Sequence, residues 1–435
     1  MAGSVSIDAS ESVTLNGTFI PPGEDEAQGG VLAQAEQGGK AGSVNITTNQ
    51  LTIQEGAAVA VSSQGVKPTD DTPGNAGDVN ITANTVRVNS GGQITAETDG
   101  GGSNTTGNIL LQGLETLELD DGNISASTNT GVAGSVSINA SESVELDEGS
   151  RIAVIARGDN GTAGNVTINT AEFLVRDDSE VSVSSSFGEA GDLNVNAGFI
   201  GLNQGSLTAD AGQGEGANIN LNISGDLGFL RLDNESLISA LATGNATGGN
   251  ININAQYVIA SFPTGSEGSD IVADAELGNG GQISITALGI FGLDFRPART
   301  PLNDITASSQ GGAAGTVQIT TLGIDPSRGL AALPLNFIDV SGLVGGQCSA
   351  SGADGELSQF TIIGRGGLPL NPTDPLAPEA EASDWVTFDP ESDRISPQAH
   401  TPIRITPFTS SVTPQQLAQF PSLCYQSWST SAIAP

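Results

Sequence analysis

From Ala2 onward the chain is written in short alternations of apolar and polar residues, and one phrase recurs. A small residue, a glycine and a polar residue are followed by apolar, polar, apolar. It reads AGSVSI at Ala2, AGSVNI at Ala41, AGDVNI at Ala76, TGNILL at Thr106, AGSVSI at Ala133 and AGNVTI at Ala163. It continues as AGDLNV at Ala190, GANINL at Gly216, GGNINI at Gly248, GGQISI at Gly280 and AGTVQI at Ala314. The copies recur about every thirty residues with uneven spacing, the mark of a coil whose turns tolerate insertions.

Each copy continues with a second alternation, as in ESVELDEGS, NTVRVNSGG, ETLELDDGN and AEFLVRDDS, and then a third apolar patch such as RIAVIA, QITAE, NISAS or EVSVSS. A period of two puts Val44 and Ile46, or Val166 and Ile168, on one face, with Asn45 or Thr167 on the other. One turn site carries Asp-Asp-Gly, Asp-Glu-Gly or Gln-Glu-Gly and the other Gly-x-Ala-Gly, residues that accept positive φ.

Three short strands close no core alone, but stacked copies pair each backbone with the coil above and below at about 4.8 Å. The pattern predicts an all-β, right-handed parallel β-helix over residues 1–344, with three strands per coil and one coil per phrase. A β-sandwich array would instead need antiparallel hairpins. In register, Val166 and Ile168 stack on Leu193 and Val195, and Gly164 and Gly191 mark one corner. Val5 and Ile7 already read as an ordinary coil, so a further coil is expected before residue 1, and no signal peptide is legible at Met1.

Composition agrees: 59 glycines and only 13 Phe, 2 Trp and 2 Tyr favour short strands and tight turns. The formal net charge of -36 excludes nucleic acid as a partner and disfavours anionic lipid. No apolar run reaches the length of a transmembrane helix.

A second module is expected over residues 345–435, Pro-rich and acidic, with Trp385 as an aromatic anchor. It holds both cysteines, Cys348 and Cys424, and the only histidine, His400. In an exported protein such a pair is most simply a disulfide; two free thiols are the alternative, and metal would need more ligands.

The acidic pairs Asp120-Asp121, Asp147-Glu148, Asp177-Asp178 and Asp233 with Glu235 fall at one turn of successive coils and would stack into an acidic ridge. They lack the spacing of known calcium loops, so no metal or cofactor site is assigned. A polysaccharide lyase or hydrolase needs convergent acids and bases and a cleft with stacking aromatics. Arg87, Arg151, Arg157, Arg176 and Arg231 look scattered and aromatics few, so no catalytic residue is assigned and the enzyme stays the alternative. Asn-x-Ser/Thr sequons such as Asn45, Asn80, Asn123, Asn165 and Asn245 arise readily in strands of this composition. The outward Asn, Ser and Thr form polar stripes that either bind glycans or host or neighbour cell surfaces through many weak contacts or are simply the wet face of each strand.

The copies AGSVSINASESVELDEGSRIAV and AGNVTINTAEFLVRDDSEVSVSSS, the join LGIDPSRGLAALPLNFIDVSGLVGGQC and the ending FTIIGRGGLPLNPTDPL resemble the filamentous haemagglutinin-like exoproteins of two-partner secretion, in their cyanobacterial form. The likeness covers essentially the whole chain and is to the C-terminal part of such a protein. It implies an adhesin-like fibre, extracellular or at the cell surface in association with the outer membrane, exported through an outer-membrane β-barrel transporter. It further implies that Cys348 and Cys424 help hold the fibre at that transporter. A purely structural surface-layer component is the remaining alternative.

Overall fold

The structure is a computed structural model. It describes residues 3–19, 27–36, 39–64, 74–99, 106–129, 131–158, 161–214, 216–225 and 228–321. The chain divides into two units, Met1–Asn336 and Phe337–Pro435, and every described residue belongs to the first. The expected C-terminal module, with Cys348, Trp385, His400 and Cys424, lies outside the described residues.

Among the described residues there is no helix, and the strands form a parallel β-helix. Every one of the eleven phrases becomes a rung of one parallel ladder, from Val5–Asp8 and Val44–Thr47 through Val166–Asn169 and Leu193–Ala197 to Thr316–Thr321. The second alternation builds a second ladder, which includes Glu172–Arg176, Phe199–Asn203, Phe229–Asp233, Tyr257–Ala260 and Gly289–Phe291. The apolar patches build a third, from Gly30–Ala35 to Asp304–Thr306. The first coil carries an antiparallel pair, Thr18–Phe19 with Ala27–Gln28, and the eleventh has only its first strand described; nine three-strand coils lie between. That pair is the one antiparallel ladder among the described residues, which removes the sandwich.

The core follows from the period of two. Val166 pairs with Leu193 and Ile168 with Val195, all four fully buried, and the columns run on through Ile219 and Leu221, then Ile251 and Ile253. From the second ladder come Phe173 and Val175 over Ile200 and Leu202; from the third, Val181 and Val183 over Leu207 and Ala209. Alternate residues of all three ladders thus fill one interior column by column, at about 25 cal/mol per Å² of apolar surface removed from water.

The two corners solve different problems. At the turn between second and third ladders, Glu55, Ser90, Asp121, Glu148, Asp177, Asp178, Gln204, Asn234 and Glu235 hold φ between 48° and 61°. This is where the sequence places Asp, Glu, Asn and Gly. Below that turn sits a buried serine: the Ser150 N–H donates to Ser179 Oγ at 3.0 Å, and Ser150 Oγ donates to the Asp147 carbonyl at 2.6 Å. At the corner before the first ladder, glycine is required by proximity. An ideal Cβ on Gly164 would lie 2.5 Å from the Gly134 carbonyl oxygen, and one on Gly191 would strike the Gly164 carbonyl in turn.

Candidate functional site

With apolar residues turned inward, each ladder presents its alternate residues outward as an in-register column. On the first ladder these are amides. Asn169 Nδ2 donates to Asn139 Oδ1 at 2.8 Å, Asn196 to Asn169 at 2.8 Å, Asn222 to Asn196 at 3.4 Å and Asn254 to Asn222 at 3.2 Å. A parallel column runs from Asn252 to Asn220 to Asn194, both bonds 2.9 Å. A shallow recess of ≈ 440 Å³ lies over them. These are the polar stripes expected from sequence, now as hydrogen-bonded ladders. Asn45 and Asn80 make the same bond at 3.0 Å.

A groove of ≈ 780 Å³ follows the glycine corner, floored by Gly42, Gly77, Gly107 and Gly134 and rimmed by Lys40 and Asp78.

The acidic ridge needs correction. The column carrying Asp120 and Asp147 passes through Arg176 and Asn203 before it reaches Asp233. Arg176 Nη2 lies 2.8 Å from Asp147 and 3.0 Å from Glu145, so the carboxylates are bridged by a cation from the next coil. Burial works against the charge on Arg176, but Asp147 and Glu145 outweigh it and hold its pKa above the ordinary value. Asp177 is raised from its ordinary pKa by the neighbouring Asp147 carboxylate although exposed. The arginines stay single, as expected, but several of them meet an acid. Arg87 pairs with Glu118 at 2.7 Å, Arg151 with Glu180 at 2.8 Å and Arg231 with Asp233 at 2.6 Å. In the first two pairs residues about thirty apart in sequence are neighbours because one coil separates them, whereas Arg231 and Asp233 share one strand. No group of three or more His, Cys, Asp or Glu able to hold a metal forms among the described residues.

A charged cluster that the sequence reading missed closes the loop between Phe295 and Asp304. Asp270 and Asp304 are fully buried. Arg299 Nε and Nη2 reach Asp270 Oδ2 at 2.9 and 2.8 Å, while Asp270 Oδ1 accepts the Asp304 N–H at 2.9 Å. Asp304 in turn accepts from Arg296 and from the Thr300 N–H. Burial holds the Asp270 carboxyl above its ordinary pKa, against the pull of the Asp304 N–H and Arg299. Both aspartates are thereby committed to holding the loop.

Asp210, on the third ladder, is different. Burial, with Glu180 beside it, raises its pKa to about 6, and the Leu241 N–H relieves this only in part. Raised above the ordinary value of 3.8, the folded protein binds the proton more tightly than the unfolded chain between about pH 4 and 6. Stability therefore falls as pH rises through that window, by about 3 kcal/mol in all. Asp210→Asn is expected to flatten the slope and raise the urea midpoint at pH 7; an unchanged slope between pH 4 and 6 would refute the assignment.

The aromatics are few, but register gathers several of them. Phe199 pairs with Phe229 and Phe229 with Tyr257, one coil apart, and Phe291 stands opposite Ile259. The Phe229 and Tyr257 ring centroids are 5.4 Å apart at 40°, and those of Tyr257 and Phe291 6.3 Å apart at 32°. Aligning the copies GFIGLN, LGFLRL and AQYVIA on the second ladder's period would have exposed this column.

Comparison with known proteins finds no counterpart: no family model, no curated protein and no solved structure matches the chain. What fold and faces define is the class, a parallel β-helix with polar and aromatic outer columns.

Proposed function

We propose that this chain is part of an adhesin-like structural exoprotein that attaches by its outer columns. The observation that carries the reading is the repetition of one surface chemistry coil after coil, with Asn139, Asn169, Asn196, Asn222 and Asn254 in a single hydrogen-bonded line. Many weak identical contacts give strong attachment when they act together. The likeness to two-partner exoproteins adds a secreted or surface-held location, surface glycans as targets, and an outer-membrane β-barrel transporter as partner. In this reading Cys348 and Cys424 serve retention at that transporter.

Beads coated with the full chain are expected to adhere to polysaccharide-coated surfaces well above albumin-coated beads. Equal adhesion overturns the proposal. The rival, a polysaccharide-cleaving β-helix, draws on Asp147, Asp177 and Arg176, where a carboxyl pair meets a guanidinium. It predicts reducing ends released on incubation with the same polysaccharides and lost in Asp177→Asn; attachment without release is the expected result.

A further inference from the structure

We infer that the column Phe199, Phe229 and Tyr257, continued by Phe291 from the neighbouring column, is a stacking platform for a neutral polysaccharide. The inference rests on the attachment reading and names the site and ligand class.

The first ground is the posture of the rings. An ideal Cβ on Gly201 would sit 2.9 Å from Phe199 Cε1 and 2.9 Å from Leu174 Cδ2, so the Phe199 ring lies across Gly201. A Cβ on Gly289 would sit 2.9 Å from Phe291 Cε2 and 3.5 Å from Tyr257 Cδ1, so two rings converge over that glycine. Glycine at these outward positions lets the rings lie down on the sheet. The Phe229–Tyr257 and Tyr257–Phe291 pairs meet tilted, at 40° and 32°, and with Phe199 one coil before them make a continuous row of half-exposed rings. A row of half-exposed rings at coil spacing offers apolar contact to the C–H face of successive sugars.

The second ground is the polar border. Asn234 Nδ2 donates to Asn203 Oδ1 at 2.7 Å and Thr264 Oγ1 to Asn234 Oδ1 at 3.0 Å, a ridge of amides and hydroxyls at the C-terminal end of the same strands. Arg231 stands among the aromatic columns, opposite Ile259 and Gly201. At the far end a pocket of ≈ 340 Å³ joins Phe262, 92% exposed, to Arg296 and Asn303. Aromatic faces flanked by planar hydrogen-bonding groups suit a polyhydroxylated ligand better than a purely apolar one.

The third ground is charge. At -36 overall, the chain repels an acidic glycan, and Arg231 is already occupied by Asp233 at 2.6 Å. That leaves a neutral polysaccharide lying across successive coils, each coil adding one ring.

The test is native affinity electrophoresis of the full chain in gels containing hydroxyethylcellulose, glucomannan or a soluble β-1,3-glucan, with polygalacturonate as the acidic comparison. Retardation is expected in at least one neutral gel and not in polygalacturonate. The double variant Phe229→Ser/Tyr257→Ser, with unchanged circular dichroism, is expected to bind at least tenfold more weakly. Phe229→Tyr/Tyr257→Phe keeps the ring faces and is expected to bind within twofold of the parent. No retardation in any neutral gel overturns the inference, as does retardation indifferent to the serine variant or stronger in polygalacturonate. Self-association that only the serine variant abolishes, without retardation, assigns the column to a second copy of the chain and overturns it too. Bead adhesion persisting unchanged in the serine variant defeats the platform and leaves the attachment reading standing; a parent chain that is retarded, with the serine variant not, yet shows no bead adhesion does the reverse.

Discussion

Gly164→Ala is expected to destabilise the β-helix by about 3 kcal/mol, the upper end for a forced backbone shift. The added methyl would lie 2.5 Å from the Gly134 carbonyl oxygen and 2.8 Å from the Ala133 carbonyl oxygen. Both obstacles are backbone, so neither swings aside as a side chain would. Relief requires the coils to part, and Gly191 above shares the same close approach to the Gly164 carbonyl. Gly149→Ala is the comparison: Gly149 holds φ of 73° with nothing within 4 Å of an added Cβ. It is expected to lose only about 1 kcal/mol, from left-handed strain. Urea unfolding followed by circular dichroism distinguishes the two, and equal losses would mean that close approach does not govern the corner.

The second large effect is expected at Asp304→Ala, a loss of about 3 kcal/mol for removing one partner of a buried, charged cluster. The carboxylate holds Arg296 and the Thr300 N–H, and its own N–H is bound to Asp270. Without it the segment 296–303 keeps only the Arg299–Asp270 and Asn303 contacts while the remaining coils keep their ladders. Hydrogen exchange is expected to accelerate at Thr300 and at Asp304–Thr306 and to stay slow at Val166–Asn169. Acceleration spread evenly over all coils would show that the cluster braces the whole stack instead of one loop. Asp304→Asn, which preserves an acceptor for the Thr300 N–H, is expected to fall between the two.

Much of this fold is legible in the alternation itself. Val166, Ile168, Leu193 and Val195 declare their faces by a period of two, and the recurrence of Gly164 and Gly191 fixes the register between copies. The turn residues announce themselves because Asp121, Glu148 and Asp178 sit beside glycine or another acidic residue, in types suited to tight turns. What stays hidden depends on the third dimension. Phe199, Phe229 and Tyr257 lie about one coil apart in sequence and look like isolated residues in an aromatic-poor chain until register stacks them. Arg176 reads as a lone base, although its partners Glu145 and Asp147 belong to the preceding coil. The Arg296 to Asp304 segment carries no repeat phrase, so periodicity says nothing of the two buried aspartates it closes over.

The asparagine line on the first ladder has one further property. Each amide nitrogen, from Asn254 back to Asn169, points to the oxygen of the coil before it. The small dipoles therefore add along the axis where antiparallel neighbours would cancel them. The face has a head and a tail, and a polymer laid along it would meet different chemistry in its two orientations. One deamidated rung, Asn196→Asp, would still accept from Asn222 but no longer donate to Asn169, so the break would fall on one side only.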